Sequence, residues 1–181
     1  MQHRGFADRG EAAAFALAQD AAGFEVYHAC AAYKEMPGVL DDPGRPGKKI
    51  NRKEPNWHSA KAFWVDVDCG EAKAANGAGY ATRQEAAGAI DVWSSQGGLG
   101  LPMLVSSGNC VHAYWILDSP VSPALWRRAA DRIKASLQAC GVLSDPTRTA
   151  DFASVLRPPG THNRKDPGNP KEVKVLREQA A

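Results

Sequence analysis

The sequence predicts an α+β domain, and three observations lead there. Segments with strand patterning mix with a few helical ones, and no regular strand–helix–strand repeat of the kind that builds a parallel sheet is present. The length, 181 residues, fits one domain and suffices to bury a core. Apolar residues make up 44% of the chain and charged residues 23%, the balance of a globular protein. No internal repeat or low-complexity tract interrupts it.

In chain order, Arg9 to Ala22 is alanine-rich and predicts a helix ending at Gly23. Phe24 to Tyr33 interleaves Val26 with aromatic residues and predicts a strand. Lys34 to Ser59 is irregular, with Pro37, Pro43, Pro46 and Pro55, and a loop that long in a compact domain is usually functional or mobile. Ala62 to Asp68 is the clearest strand, and Thr82 to Ser95 predicts a helix. Leu101 to Val105 and Val111 to Leu117 are strands that the Ser106-Ser107-Gly108-Asn109 turn can join as a hairpin. Ser122 to Cys140 has helical spacing, with Leu125, Ala129, Ile133 and Leu137 on one face and Gly141 as the stop. Short strands are expected at Ser154 to Arg157 and Lys171 to Leu176.

The formal charge is only +2, so nucleic-acid binding would need a local patch rather than a polycationic surface. One patch is offered by Lys48, Lys49, Arg52 and Lys53 in a basic loop over 43–56. No apolar run is long enough to cross a bilayer. Met1-Gln2-His3-Arg4-Gly5 lacks the apolar core of a secretory signal, which points to the cytoplasm. The four cysteines, Cys30, Cys69, Cys110 and Cys140, form no C-x-x-C pair and are read as reduced, incidental thiols.

Three constellations carry chemistry. In Phe63-Trp64-Val65-Asp66-Val67-Asp68 the side chains alternate, with Phe63, Val65 and Val67 toward a core and Trp64, Asp66 and Asp68 on the other face. Residues two apart on a face lie roughly 6.5 Å apart, so both carboxylates can reach shared divalent ions such as Mg²⁺ or Mn²⁺. In Ser107-Gly108-Asn109-Cys110-Val111-His112 a small turn able to present N–H groups to an anion precedes a strand carrying a histidine suited to a phosphate. Finally, Asp151 is followed by a short strand, a rigid Arg157-Pro158-Pro159-Gly160 corner, and Thr161-His162-Asn163-Arg164-Lys165. Arg157 offers a planar fork for phosphate oxygens and Lys165 a point charge, while His162 and Arg164 are read as solvated. Asp145 competes with Asp151 as a third acid, but an aspartate before proline usually starts a turn, so Asp151 is preferred.

In this order the three stretches resemble the archaeo-eukaryotic primase superfamily, and within it the primase-polymerase domains of phages, plasmids and integrated elements. The D-x-D strand is Asp66-Val67-Asp68, the Ser/Gly motif ending in histidine runs from Ser107 to His112, and the R-x-P-G-T-x-N-x-K-like segment is Arg157 to Lys165. The likeness runs from about Val26 to Leu176. It departs from the common pattern where Cys110 stands two residues before the histidine in place of serine, and Ser107 sits further back, in the Ser-Gly pattern common in the phage branch.

The resemblance implies an RRM-like catalytic sheet with a smaller α/β subdomain, in one domain spanning 1–181 with a catalytic core over 61–177. It implies that Asp66, Asp68 and Asp151 bind two Mg²⁺ or Mn²⁺ ions and that His112 joins them as a catalytic residue. Ser107, Gly108, His112, Arg157, Asn163 and Lys165 would contact the nucleotide. The activity implied is DNA-templated nucleotidyl transfer from nucleoside triphosphates on single-stranded DNA, with a helicase domain or protein as a further partner. The rival readings are a metal-dependent nuclease and a non-catalytic nucleotide- or DNA-binding replication module.

Overall fold

The computed structural model describes residues 3–36, 38–42, 44–49 and 52–179. Pro37 and Pro43 of the irregular stretch, and Ile50 and Asn51 of the basic loop, lie outside the described residues. Among the described residues no helix is long and apolar enough to cross a membrane.

Helix α1 (Arg9–Ala21) starts where the Asp8 carboxylate accepts a hydrogen bond from the Glu11 N–H, 2.9 Å. The expected first strand is instead two short ones, β1 (His28–Ala29) and β2 (Ala32–Tyr33), which join different sheets. After a 3-10 turn at Glu54–Asn56 comes β3 (Trp57–Val67), five residues longer at its start than its alternation announced. Next are α2 (Glu71–Ala75) and α3 (Arg83–Gln96), the latter capped by Thr82, whose Oγ1 accepts from the Glu85 N–H. The expected hairpin forms from β4 (Met103–Ser106) and β5 (Val111–Val121). Helix α4 (Pro123–Ala139) starts with proline in its first turn and ends before Gly141, whose φ of +69° suits glycine. The remaining elements are α5 (Pro146–Thr149), β6 (Val155–Leu156), β7 (His162–Asn163), β8 (Lys171–Glu172) and β9 (Lys174–Arg177).

The main sheet has the order β2-β3-β5-β4-β9, and every neighbouring pair is antiparallel. Two small antiparallel ladders, β1-β6 and β7-β8, flank it. Both faces of the sheet are covered, which corrects the expectation that only the Phe63, Val65 and Val67 face meets a core. Val65, Val67, Ala113 and Trp115 pack with Ile90, Trp93 and Leu137 on one side. On the other, Trp57, Trp64 and Tyr114 pack with Trp126 and Phe152. Trp126 stacks on Trp64 with ring centroids 4.7 Å apart, and its indole N–H donates to the Ala62 carbonyl at 3.0 Å.

That packing corrects the start of the face assigned to α4, while Leu137 is buried as expected and Ile133 packs against the core. Trp126, Ala130 and Leu137 are the buried positions, while Leu125 is 48% exposed. The tryptophan brings more apolar area than leucine, so it turns the helix to bury itself.

Candidate active site

Antiparallel pairing of β3 with β5 sets Asp66 directly opposite His112. On this face Asp66 follows Trp64 and His112 precedes Tyr114, so the aromatic core ends where the polar site begins. His112 Nε2 lies 3.6 Å from Asp66 Oδ1, and its Nδ1 faces the Tyr114 hydroxyl at 3.5 Å. Burial, followed by the positive charges of His28 and Arg157, pushes the His112 imidazole down to about 3. It is therefore neutral at physiological pH, able to donate one hydrogen bond but carrying no charge.

Burial acts in the opposite sense on Asp66, raising its carboxyl to about 6, and the negative charges of Asp68 and Asp145 raise it further. Arg148 and Lys165 oppose that rise, which places both cations within electrostatic reach of Asp66. Asp68 accepts a hydrogen bond from Lys73 Nζ at 2.9 Å and another from the Cys110 thiol at 3.4 Å.

Asp151 lies on the same side of the sheet, because Phe152 is part of the core cluster containing Trp64 and Tyr114. Its carboxylate accepts from the Ala153 N–H at 3.0 Å and the Ser154 hydroxyl at 3.3 Å. The Cys30 thiol is pushed far up by burial, then by Asp66 and Asp151, so it sits within reach of both acids. Asp145 is tied more directly: its N–H donates to the Asp66 carbonyl at 2.8 Å, and its carboxylate caps α5 through the Thr147 N–H. Among the described residues, no group of three or more His, Cys, Asp or Glu side chains is already drawn together as a metal cage.

The Ser/Gly turn is closed on itself. Ser107 N–H donates to the Cys110 carbonyl, Gly108 N–H to Ser106 Oγ, and Cys110 N–H to Ser107 Oγ. Those three donors are engaged within the turn, which corrects the expectation that they are presented to an anion. Gly108 has φ +91°, and a Cβ there would lie 2.9 Å from Asn163 Cβ and 3.0 Å from Lys171 Cβ. The buried Asn163 donates from Nδ2 to the Ser107 carbonyl at 2.8 Å and accepts from the Lys165 N–H at 3.1 Å. It thereby fastens the basic loop to the turn and sets where Lys165 begins.

Arg157 is buried, with its guanidinium donating to Glu25 Oε2 at 2.7 Å and the Tyr27 hydroxyl at 2.7 Å, over the Tyr27 ring. His162 and Arg164, expected to be free in solvent, are both paired with Asp20. His162 Nδ1 meets Asp20 Oδ2 at 2.7 Å, and Arg164 donates to the Asp20 carboxylate at 3.1 Å. These contacts bind α1 and its following segment to the loop after the Pro-Pro-Gly corner. Sequence reasoning missed Asp20, Glu25, Tyr27 and Arg148, because none stands at a spacing that marks it. Only long-range packing brings them to the loop or to Asp66.

Part of the basic loop's charge is paired with Asp41 and Asp42 just before it. Lys49 pairs with Asp41 at 2.8 Å, Lys53 with the buried Asp42 at 2.5 Å, and Arg52 donates to the Ala153 carbonyl at 3.2 Å. Lys48 has no side-chain partner among the described residues.

No protein-family model and no curated protein matches this sequence. Among solved structures, the polymerase domain of Mycobacterium tuberculosis Ligase D, determined in complex with DNA, is similar over 87% of this chain and 56% of its own, with 19% identity and a TM-score of 0.50. The chain shares the fold of that polymerase domain. The archaeo-eukaryotic primase domain of the cyanophage S-2L primase-polymerase is also similar, over 71% of this chain and 58% of its own, with 19% identity and a TM-score of 0.48. The chain thus spans somewhat more than half the length of each. The Asp66-Val67-Asp68 stretch lies at the end of β3, and the Ser107–His112 stretch lies in the adjoining β4-β5 hairpin.

Proposed function

We propose that this chain is the catalytic module of a DNA-templated nucleotidyltransferase, a primase-polymerase that starts or extends primers in replication of a phage, plasmid or integrated element. The observation that carries the reading is the pairing of Asp66 with His112 across the centre of the sheet, with Asp68 next on the same face. The likeness of the fold to the polymerase domain of Mycobacterium tuberculosis Ligase D supports the reading.

The residues present suit divalent cations. Asp66 is held up to about 6 by burial and by neighbouring carboxylates, so the site carries more negative charge than Arg148 and Lys165 offset. Hard oxygen donors crowded in this way favour Mg²⁺ or Mn²⁺. Asp66 and Asp68 would hold the ions, with a third carboxylate from the segment around α5. Asp145, whose charge reaches Asp66, is favoured for that place, and Asp151 is the other candidate. Bound ions of this kind supply an activated attacking hydroxyl and shield a leaving pyrophosphate.

The chain's own groups do the positioning. A neutral His112 donates to a phosphate oxygen without competing for the carboxylates as a cation would. Lys165 and Arg148 give positive charge beside Asp66 for a triphosphate. Ser107, Gly108 and Asn163 fix the turn and the loop against one another. Arg157, spent on Glu25 and Tyr27, positions the loop.

The test is incubation with a primed single-stranded DNA template, labelled nucleotides and Mg²⁺ or Mn²⁺, beside a parallel DNA-degradation assay. Template-dependent extension that Asp66→Ala abolishes supports the reading. Degradation without extension would replace it with a nuclease, and extension retained by a well-folded Asp66→Ala protein would remove it.

A further inference from the structure

Away from Asp66, an open apolar groove of about 400 Å³ lies between α4 and the sheet. Phe63, Trp115 and Leu117 form its floor, and Leu125, Ala129 and Ile133 of α4 form one wall with Leu99 opposite. Its volume falls in the range of roughly 300–1,000 Å³ found for ligand sites. Leu125 is 48% exposed and Leu99 37% exposed, so apolar surface is left open to solvent at the rim. The groove exists because Trp126 takes α4 into the core and leaves the helix's adjoining apolar stripe, Leu125 and Ala129, facing outward.

The charge at the rim has one sign. Arg128 and Arg132 line the groove one helical turn apart and are both exposed. Among the described residues, neither has an ion-pair partner, whereas their neighbour Arg127 faces Asp131 and donates to the Ala150 carbonyl. Two unpaired guanidinium groups beside an apolar trough match a ligand that joins apolar side chains to carboxylates.

Single-stranded nucleic acid would also meet the arginines, but it needs free aromatic faces for its bases. Here Trp115 is only 7% exposed, with its indole N–H committed to Ser94 Oγ and the Gly100 carbonyl. Phe63 is stacked against Trp126. The accessible lining is aliphatic, which favours a peptide over bases.

We propose that this groove is a docking site for a short acidic, amphipathic segment of a partner protein, with apolar anchors seated on Leu99, Leu117 and Leu125 and carboxylates on Arg128 and Arg132. The geometry resembles the groove-binding mode in which anchors spaced three or four residues apart enter an apolar trough. The inference is independent of the catalytic reading, since none of these residues contacts the Asp66 site.

The experiment is selection from a phage-displayed library of random 16-residue peptides on the intact chain, followed by fluorescence anisotropy with the synthetic consensus peptide. The expected consensus combines apolar anchors with Asp or Glu. Its affinity should fall at least tenfold in Arg128→Glu/Arg132→Glu and in Leu125→Glu, with thermal unfolding and primer extension of the variants unchanged. Failure to enrich peptides, a basic consensus, or a consensus whose binding ignores all three substitutions would overturn the proposal. So would binding of an oligo-dT strand that the arginine reversal abolishes in the absence of peptide binding.

Discussion

At the residue scale the molecule maintains a costly group at its centre. Burial and the nearby carboxylates hold Asp66 near 6, above the ordinary 3.8 of an aspartate, so its folded state takes up a proton more readily than the unfolded chain. A raised acid lowers stability above its folded pKa and returns that stability as pH falls toward the unfolded value. Without divalent ions, Asp66→Asn should therefore be more stable than the wild type at pH 7, by an amount on the order of 2–3 kcal/mol. The gain should shrink as pH drops from about 6 to about 4, which urea titrations across that range would show. The same substitution should reduce nucleotide incorporation at least about a hundredfold, the scale of losing a central electrostatic group.

Asp20 behaves in the opposite way. Burial works to raise its carboxyl but is outweighed by hydrogen bonds from His162 and the charge of Arg164, so its pKa is lowered. A lowered acid stabilises the fold above the unfolded pKa and loses that contribution as pH falls through the folded value. The stability difference between wild type and Asp20→Asn should hold steady near neutrality and close below about pH 4. A difference that persists unchanged at pH 3 would show that the carboxylate is not what ties α1 to the loop.

Among the elements, α4 shows how one large side chain decides a helix's orientation. Trp126 is fully buried among Trp57, Trp64 and Phe152. Trp126→Ala should destabilise the fold by about 3–5 kcal/mol, through lost burial and the cavity left behind. Leu125→Glu, one residue earlier, should change stability by less than about 0.5 kcal/mol, as exposed substitutions do. Equal effects at the two positions in denaturant unfolding would contradict the helix face. The β4-β5 turn is constrained in a different way. Gly108→Ala puts a Cβ against Asn163 and Lys171 at a φ that disfavours alanine, and should cost about 1–3 kcal/mol. It should also weaken incorporation, because Asn163 carries the loop that leads to Lys165.

On the scale of the whole molecule, the site joins segments far apart in the chain: β3, the β4-β5 hairpin, α5, and the loop after Pro158-Pro159-Gly160. Asp145 and Asp151 flank one short helix and cannot be ranked by sequence position alone. Asp145→Asn should reduce incorporation more than Asp151→Asn, since Asp145 helps raise the Asp66 carboxyl and its N–H holds the Asp66 carbonyl. The reverse order in a primer-extension assay would assign the third carboxylate to Asp151.

The alternation in Ala62 to Asp68, the Ser107-Gly108 turn and the alanine-rich start are local patterns, and local backbone preferences were enough to locate β3, the hairpin and α1. The order of the acidic, Ser/Gly–His and Arg–Pro–Gly–Thr stretches likewise pointed to a polymerase-like fold, and the chain's fold is similar to such a domain. Tertiary packing alone decided that Trp126 rather than Leu125 turns inward, that Arg157 is spent on Glu25, that Asp20 holds His162, and that Asp145 adjoins Asp66. Those contacts join residues distant in the chain, and their partners follow from which surfaces bury the most area and which charges would otherwise be left unpaired. Neither quantity has a period or a spacing that a sequence can display.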